Sequence, residues 1–383
     1  MLTNNIKFKN FQIKKKSHIK NILSFILKEN NQVITSLRKG YKDSFNKKKI
    51  SHFKKKLDYR IIGMGGSTLG AQAIYGFLKK KIKKNFIFID NLNGDNHKKI
   101  KKNYNNLIIS KSGNTIETIV NANILIRKKD KNLFITEKKK SYLSLLAQKL
   151  KAEVVDHNNY IGGRYSVLSE VGMLPAELMG LNYKKFRQLN DLVNNKSFMK
   201  ALVSNVEATI YFLKSKKFNS VIINYDEQST NLFNWYQQLV AESLGKEKKG
   251  ILPIISVMPK DNHSVMQLYL DGVKNNFFTF FYSQDNYSLK INNDLVLLEQ
   301  NFLKNKDINQ IMFAQKKATE IVFKKKNIPF RSFEIKKRDE KTLGELFCFF
   351  ILETILIGKA LKINPFDQPA VELIKKETKK ILV

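Results

Sequence analysis

The densest polar stretch of this 383-residue chain reads Ser110-Lys111-Ser112-Gly113-Asn114-Thr115-Ile116-Glu117-Thr118. It follows the apolar run Leu107–Ile109 and leads into a helical pattern. Hydroxyls, a lysine, free backbone N–H groups and the positive end of a helix together favour a phosphate. Thr115 and Thr118 also make an imperfect capping box, which would serve the helix alone. A second loop, Gly63-Met64-Gly65-Gly66-Ser67-Thr68-Leu69-Gly70, closes an earlier apolar run. Its glycines let the backbone approach an anion. It is not a dinucleotide fingerprint, because Thr68 stands where the third glycine is required, although Asp90 lies where a ribose-binding acid would fall. No Gly-Lys-Ser/Thr follows, which excludes a P-loop. Polar loops without an apolar anchor suit a small phosphorylated ligand better than a large nucleotide.

Acid–base candidates lie further along. Residues 230–245 read as a helix stopped by Gly245. Gln238 and Glu242 are four apart and share a face. Glu242 falls in the last turn, where the helix dipole disfavours a carboxylate, a placement that suits a general base. An ordinary surface glutamate would look the same in this segment alone. His263 follows an apolar run ending at Met258-Pro259, and ligands bind at such strand ends in α/β folds. Arg164, in Gly162-Gly163-Arg164-Tyr165-Ser166, is notable because only seven of the 69 basic residues are arginine. His18, His52, His97 and His157 stand in polar surroundings without metal-ligand spacing, read as surface residues. No metal site is expected.

These groups need elements to hold them. From Tyr59 onward short apolar runs alternate with helical stretches. The runs are Ile61–Met64, Phe86–Ile89, Leu107–Ile109, Leu133–Ile135 and Val154–Val155. Leu69–Leu78, Ile116–Ile126 and Tyr142–Leu150 carry helical spacing. This is the pattern of a parallel α/β sheet. The rhythm recurs with Val221–Asn224, Ile251–Met258, Phe277–Tyr282 and Phe330–Ile335, after a mostly helical link over 167–217. Two helices, Leu343–Leu361 and Gln368–Ile381, end the chain, broken at Pro365 and Pro369. Residues 1–56 suggest one amphipathic helix after a looser start.

Composition excludes several classes. With 43% hydrophobic residues the chain can build a core. A single cysteine, Cys348, rules out an internal disulfide framework and fits a reducing, cytoplasmic setting. Glu345 and Glu353 interrupt the most apolar stretch, and no secretory h-region is visible, so no membrane association is expected. The net charge of +36 comes almost wholly from lysines spread along the chain, rather than from a concentrated arginine-rich face. We read it as a solvated surface produced by compositional drift, not as a specific nucleic-acid site.

Taken together, the motifs resemble the glucose-6-phosphate isomerase (phosphoglucose isomerase) family. The matching stretches are Gly63–Gly70, Ser110–Thr118, Gly162–Ser166, Gln237–Gly245, His263–Gly272 and Asn364–Lys375, in the family's order. Residues 1–56 carry none of them. The resemblance implies an α/β fold of two sugar-isomerase (SIS) domains, each a parallel sheet flanked by helices. Helical N- and C-terminal extensions complete it. The expected segments are 1–56, an extension; 57–200, the first SIS domain; 201–340, the second; and 341–383, helices completing the site. It implies reversible conversion of glucose 6-phosphate to fructose 6-phosphate in glycolysis and gluconeogenesis, with no cofactor and no metal. It also implies a homodimer with His263 supplied across the interface.

By the same resemblance Glu242 is the base, Arg164 stabilises the enediolate, and His263 and Lys375 open the sugar ring. Ser67, Ser110, Lys111, Ser112, Thr115 and Thr118 bind the phosphate. Gly66, Gly163 and Gln238 are substrate contacts. Asp271 departs from the pattern, standing where many members carry an amide. A dual glucose/mannose 6-phosphate isomerase and a sugar-phosphate sensor are the rival readings; a sensor would not need Glu242, His263 and Lys375 together.

Overall fold

The computed structural model describes residues 1–13, 18–48, 50–55, 57–94, 103–284 and 288–382. His97 lies outside these residues. Two five-stranded sheets organise the chain. The first contains β2 (Asp58–Ile62), β3 (Asn85–Ile89), β4 (Asn105–Ile109), β5 (Lys131–Thr136) and β6 (Glu153–Asp156). The second contains β7 (Asn219–Asn224), β8 (Leu252–Val257), β9 (Asn276–Ser283) and β10 (Phe330–Ile335), joined by β1 (Ile6–Lys9).

Their orders are β3-β2-β4-β5-β6 and β1-β10-β9-β7-β8. The first sheet is parallel throughout, with Ile61 beside Leu107 and Leu107 beside Leu133. Its inner strands β2, β4 and β5 are buried almost throughout, as a sheet covered by helices on both sides requires. In each sheet the chain first builds outward to one side and then crosses to the other. This leaves a switch point between β2 and β4 and another between β7 and β9. Ligands bind outside the carboxyl ends of strands at such points.

Residues 1–56 depart from the helical expectation. Ile6–Lys9 is a strand, antiparallel to β10, with Ile6 opposite Ile335. The reason is local: Ile6 and Phe8 turn inward while Lys7 and Lys9 turn outward, a period of two rather than 3.6. The Phe8 ring packs 4.5 Å from that of Phe333. After β1 come α1 (Ile19–Lys28) and α2 (Gln32–Ser36), the latter capped by the Asn31 side chain.

Within the first unit α3 (Leu69–Phe77), α4 (Ile116–Leu125) and α5 (Tyr142–Leu150) follow β2, β4 and β5. Ser141 and Ser144 close a capping box on α5. Then come α6 (Glu170–Leu178), the short α7 (Leu189–Leu192) and α8 (Lys196–Lys214). The second unit contributes α9 (Thr230–Leu244), α10 (Met266–Asp271) and α11 (Ile308–Lys325). Helices α3 and α9 pack against each other and join the two units. Helix α12 (Glu340–Ala360) is buried from Thr342 to Gly358. The two carboxylates of that buried stretch are engaged: Glu345 accepts from Thr3 at 2.7 Å, and Glu353 pairs with Arg331 and accepts from Asn205. No described helix is long and apolar enough to cross a membrane. The last helix, α13 (Val371–Leu382), starts three residues later than its spacing suggests and buries none of its side chains.

The two loops of interest meet across the first switch point. Gly63 lies between the Ile109 carbonyl and Ser67. Gly66 sits directly on the Gly163 carbonyl, so a Cβ there would fall far inside van der Waals contact with backbone. A Cβ on Gly163 would instead meet only the Gly66 Cα, at 3.7 Å. We therefore expect Gly66→Ala to destabilise by about 2 kcal/mol or more, as overpacking against backbone does. Gly163→Ala should stay within about 0.5 kcal/mol of wild type, since its added methyl meets no clash. Urea unfolding of the two variants checks this, and equal losses would refute it.

A second prediction concerns β10. Fully buried Lys316 on α11 holds Glu334 at 2.6 Å, and Lys317 holds it at 2.9 Å. Burial opposes the charged form, but the two lysines prevail and bring the Glu334 carboxyl down to about 2. A depressed carboxylate adds stability above its unfolded value near 4.5, and that stability is lost as pH falls toward about 2. Glu334→Gln should cost roughly 2–4 kcal/mol at pH 7 and flatten the acid limb of the stability curve between pH 4.5 and 2. An acid limb unchanged by the substitution would count against the pairing.

Candidate active site

The site is assembled around Arg164, which is 1% exposed on a short helical turn, Gly163–Leu168. Its Nε donates to Ser243 Oγ of α9 at 2.8 Å. Nη1 donates to Gln368 Oε1 at 2.8 Å. Nη2 donates to the Pro365 and Asp367 carbonyls at 2.8 and 3.0 Å. A guanidinium has five N–H donors, so these bonds leave one on Nη1. The Glu242 carboxylate stands 3.6 Å from that nitrogen. The Arg164 carbonyl is held in turn by the Trp235 indole N–H at 3.2 Å.

Helix α9 carries both carbonyl-chemistry candidates along one face. Glu242 lies in its last turn before Gly245, with its side chain 24% exposed. One turn earlier, the Gln238 amide abuts Gly65, and its Oε1 is buried without a hydrogen-bond partner. A β-carbon on Gly65, whose φ is +52°, would stand 2.8 Å from the Gln238 amide nitrogen. The glycine is required there both for its left-handed backbone and for that approach. Glu242 opens onto a cavity of about 740 Å³, shared with Lys246, Asn364, Asp367, Gln368 and Val371.

The polar loop sits at the carboxyl end of β4. Ser110 is buried and its hydroxyl shares a hydrogen bond of 2.9 Å with Thr115. Ser112 accepts from the Asn114 N–H at 3.2 Å. Thr118 is wholly buried, and its hydroxyl has no hydrogen-bond partner. Thr115 stands at the N-cap of α4 without a side-chain cap bond, so the first-turn N–H groups are not closed by it. Gly113, at φ +68°, turns the chain where any β-carbon would strike Ser141. The Lys111 ammonium donates to the Asn159 carbonyl at 2.8 Å and lies 3.7 Å from Glu137. Burial chiefly lowers its pKa, with the nearby Lys139 and Arg164 charges adding to that and Glu137 opposing it. Ser67 stands on the facing turn, Gly65–Ser67. Asp90 is occupied, accepting from Gln72 at 2.6 Å.

Thus Gly66, Gly163, Arg164, Gln238 and Glu242 are brought into one contiguous site, flanked by the hydroxyl loop. His263 and Lys375 do not join it within one chain. His263 ends an exposed turn, Lys260–His263, after β8 and does not line the Glu242 cavity. Lys375 is exposed on α13 and pairs with Glu372 at 2.6 Å. His157 was expected at the surface and is buried instead, 2% exposed, with its pKa lowered to about 4 chiefly by burial. Its neighbours in sequence are polar, and Asn159 and Tyr160 stay exposed, so no local pattern reveals its burial. Sequence reasoning also passed over Ser243 and Gln368. Ser243 follows Glu242 directly, and Gln368 lies in the recognised Asn-Pro-Phe-Asp-Gln-Pro run, so the positions were visible while their partners were not. Among the described residues no cluster of His, Cys, Asp or Glu could hold a metal ion.

The profile of the phosphoglucose isomerase family matches residues 27–383, beginning well before the first glycine loop. The chain is 32% identical over 359 residues to a glucose-6-phosphate isomerase of Methanocaldococcus jannaschii, covering 88% of both chains. It is 33% identical over 351 residues to one from Mycoplasmopsis pulmonis, covering 84% of this chain and 82% of that one. In fold it is similar to a hypothetical protein of Thermus thermophilus, with TM-score 0.84, 21% identity and coverage of 96% and 94% of the two chains. It is also similar to a glucose-6-phosphate isomerase of Chlamydia trachomatis, with TM-score 0.73, 18% identity and coverage of 100% and 81%. A family match over this much of the sequence, with the six motifs in order and five of their residues meeting in one site, settles the relationship: the chain belongs to the phosphoglucose isomerase family.

Proposed function

We propose that this chain interconverts glucose 6-phosphate and fructose 6-phosphate through a cis-enediol, as a step of glycolysis and gluconeogenesis. The observation that carries the reading is the pairing of Glu242, which lines a cavity, with the one uncommitted donor of buried Arg164. The phosphate is held by the hydroxyls of Ser67, Ser110, Ser112, Thr115 and Thr118, the α4 N-terminus and Lys111. This fixes the sugar at its far end. With the ring open, the Glu242 carboxylate removes the C2 proton of the aldose, and the C1 carbonyl oxygen takes up charge. Arg164 stabilises that oxygen through a preorganised N–H. The C2 hydroxyl proton passes to the charged C1 oxygen, and the protonated Glu242 returns the carbon-bound proton to C1, giving the ketose. One carboxylate serves both carbons because the planar enediol presents them side by side.

Ring opening is assigned to His263 and Lys375. His263 is exposed and away from the cavity of its own chain, which supports its delivery by a second copy in a homodimer. The single cysteine, buried Cys348, fits a reducing cytoplasm.

A coupled assay of fructose 6-phosphate conversion, run with chelator throughout, tests the chemistry. Glu242→Gln should lower kcat about a thousand-fold, within the range of a lost general base, without weakening sugar-phosphate binding. Full activity in the variant would remove Glu242 as the base. A folded wild type that binds sugar phosphate without turnover would refute the enzyme reading and favour a sensor. The shared site has its own test. Glu242→Gln and His263→Ala should each be inactive alone. After subunit exchange their mixture should recover about a quarter of wild-type activity, because half the dimers are hybrids with one intact site. No recovery despite exchange would place His263 in its own chain's site.

A further inference from the structure

We propose that Glu170 is a positioning residue for the phosphate-binding lysine, acting with Tyr41 of the N-terminal segment. The inference rests on the isomerase reading and gives residues 31–44 a role in substrate binding.

Glu170 opens α6 and is 1% exposed. Its Oε1 accepts the backbone N–H of Asn158 at 2.6 Å, and its Oε2 accepts the Tyr41 hydroxyl at 3.0 Å. The Asn158 amide donates to Tyr41 Oη at 3.3 Å and to Gln32 Oε1 at 3.4 Å. The Ser44 hydroxyl donates to the Asp156 carbonyl at 2.5 Å. Three residues of the N-terminal segment therefore grip the strand end and loop that run from 156 to 163. Tyr41 is itself fixed, with the Arg187 guanidinium over its ring at 4.9 Å and Arg187 paired with Asp43.

The carboxylate is held by neutral donors. The nearest basic group among the described residues is His157 at 4.0 Å, and burial lowers the pKa of that imidazole to about 4. Burying a carboxylate with only neutral donors is costly, so its retention points to a use for the loop it fixes. What depends on it is Lys111: the Asn159 carbonyl, one residue past Asn158, accepts the Lys111 ammonium at 2.8 Å. Arg164, at the far end of the same loop, is anchored separately by Ser243, Gln368, Pro365 and Asp367. Releasing the Asn158 end should therefore move the phosphate-binding lysine and leave the Arg164–Glu242 pair in place. The signature is a loss of binding without a loss of chemistry.

The test compares Glu170→Ala, Glu170→Gln and Tyr41→Phe with wild type. Inorganic phosphate affinity is measured by calorimetry, KM and kcat for fructose 6-phosphate by the coupled assay. For Glu170→Ala we expect KM and the phosphate Kd to rise together by about 10-fold, with kcat within about two-fold. Tyr41→Phe, which removes one hydroxyl and should fold, is expected to raise both by about three-fold. Glu170→Gln keeps an acceptor for the Asn158 N–H and should recover most of the loss. In a Lys111→Met background Glu170→Ala should add little, since both act through one ammonium. Unchanged phosphate affinity in both Tyr41→Phe and Glu170→Ala overturns the proposal, as does a fall in kcat or thermal stability with KM unmoved. A wild type that does not isomerise, with the phosphate-affinity shifts intact, overturns the reaction reading alone.

Discussion

The buried guanidinium of Arg164 is the constraint around which the site is arranged. A planar, permanently charged group with five donors can be withdrawn from water only if nearly all of them are met. Two separate parts of the chain converge to meet them: α9 through Ser243 and, at the remaining edge, Glu242, and the 365–368 turn through two carbonyls and Gln368. Tyr165 reinforces the arrangement, its hydroxyl bridging Ser243 and the Pro365 carbonyl. Removing the charge would leave those carbonyls pointing at nothing. Keeping it leaves one N–H on Nη1, the nitrogen that stands 3.6 Å from Glu242.

The two sheets make that convergence possible. Each places its switch point where its own loops project, and the α3–α9 contact sets the two units against each other. Through it the glycine loop after β2 reaches Gln238 on the helix that follows β7. Close backbone approach does the rest. Gly65, Gly66 and Gly113 stand where a methyl group would meet an amide, a carbonyl or a hydroxyl.

Much of this was legible in the sequence, for identifiable reasons. Strands β2 to β10 are apolar runs bounded by polar turns, and Tyr142–Leu150 and Phe330–Ile335 fall where periodicity put them. Signals spread over four residues fared worse. The period-two alternation of Ile6 to Lys9 is too short to outweigh the helical pattern that follows it, and its pairing with β10 depends on a partner more than 300 residues away. The loops stood out as glycine-rich or hydroxyl-rich element ends, whereas Glu242 was singled out only by the family resemblance, since its own segment reads as an ordinary surface helix end. The burial of His157, the Glu170–Tyr41 bond and the Gln368–Arg164 bond depend on tertiary neighbours and leave no local trace.

The chain's basic residues divide by type between inside and outside. Arg60, Arg164, Arg187 and Arg331 are among the largest fully buried side chains, while Lys316 is the only buried lysine among the described residues. A guanidinium can be satisfied by a fixed set of carbonyls and carboxylates, whereas an ammonium is better hydrated and remains at the surface. Lys316 apart, the cationic charge locked into the core and the charge presented to solvent thus belong to different chemistries. Acylating the surface amines or raising the salt concentration changes how the molecule meets its surroundings, while the buried arginine bonds on which the architecture rests stay beyond the reach of either.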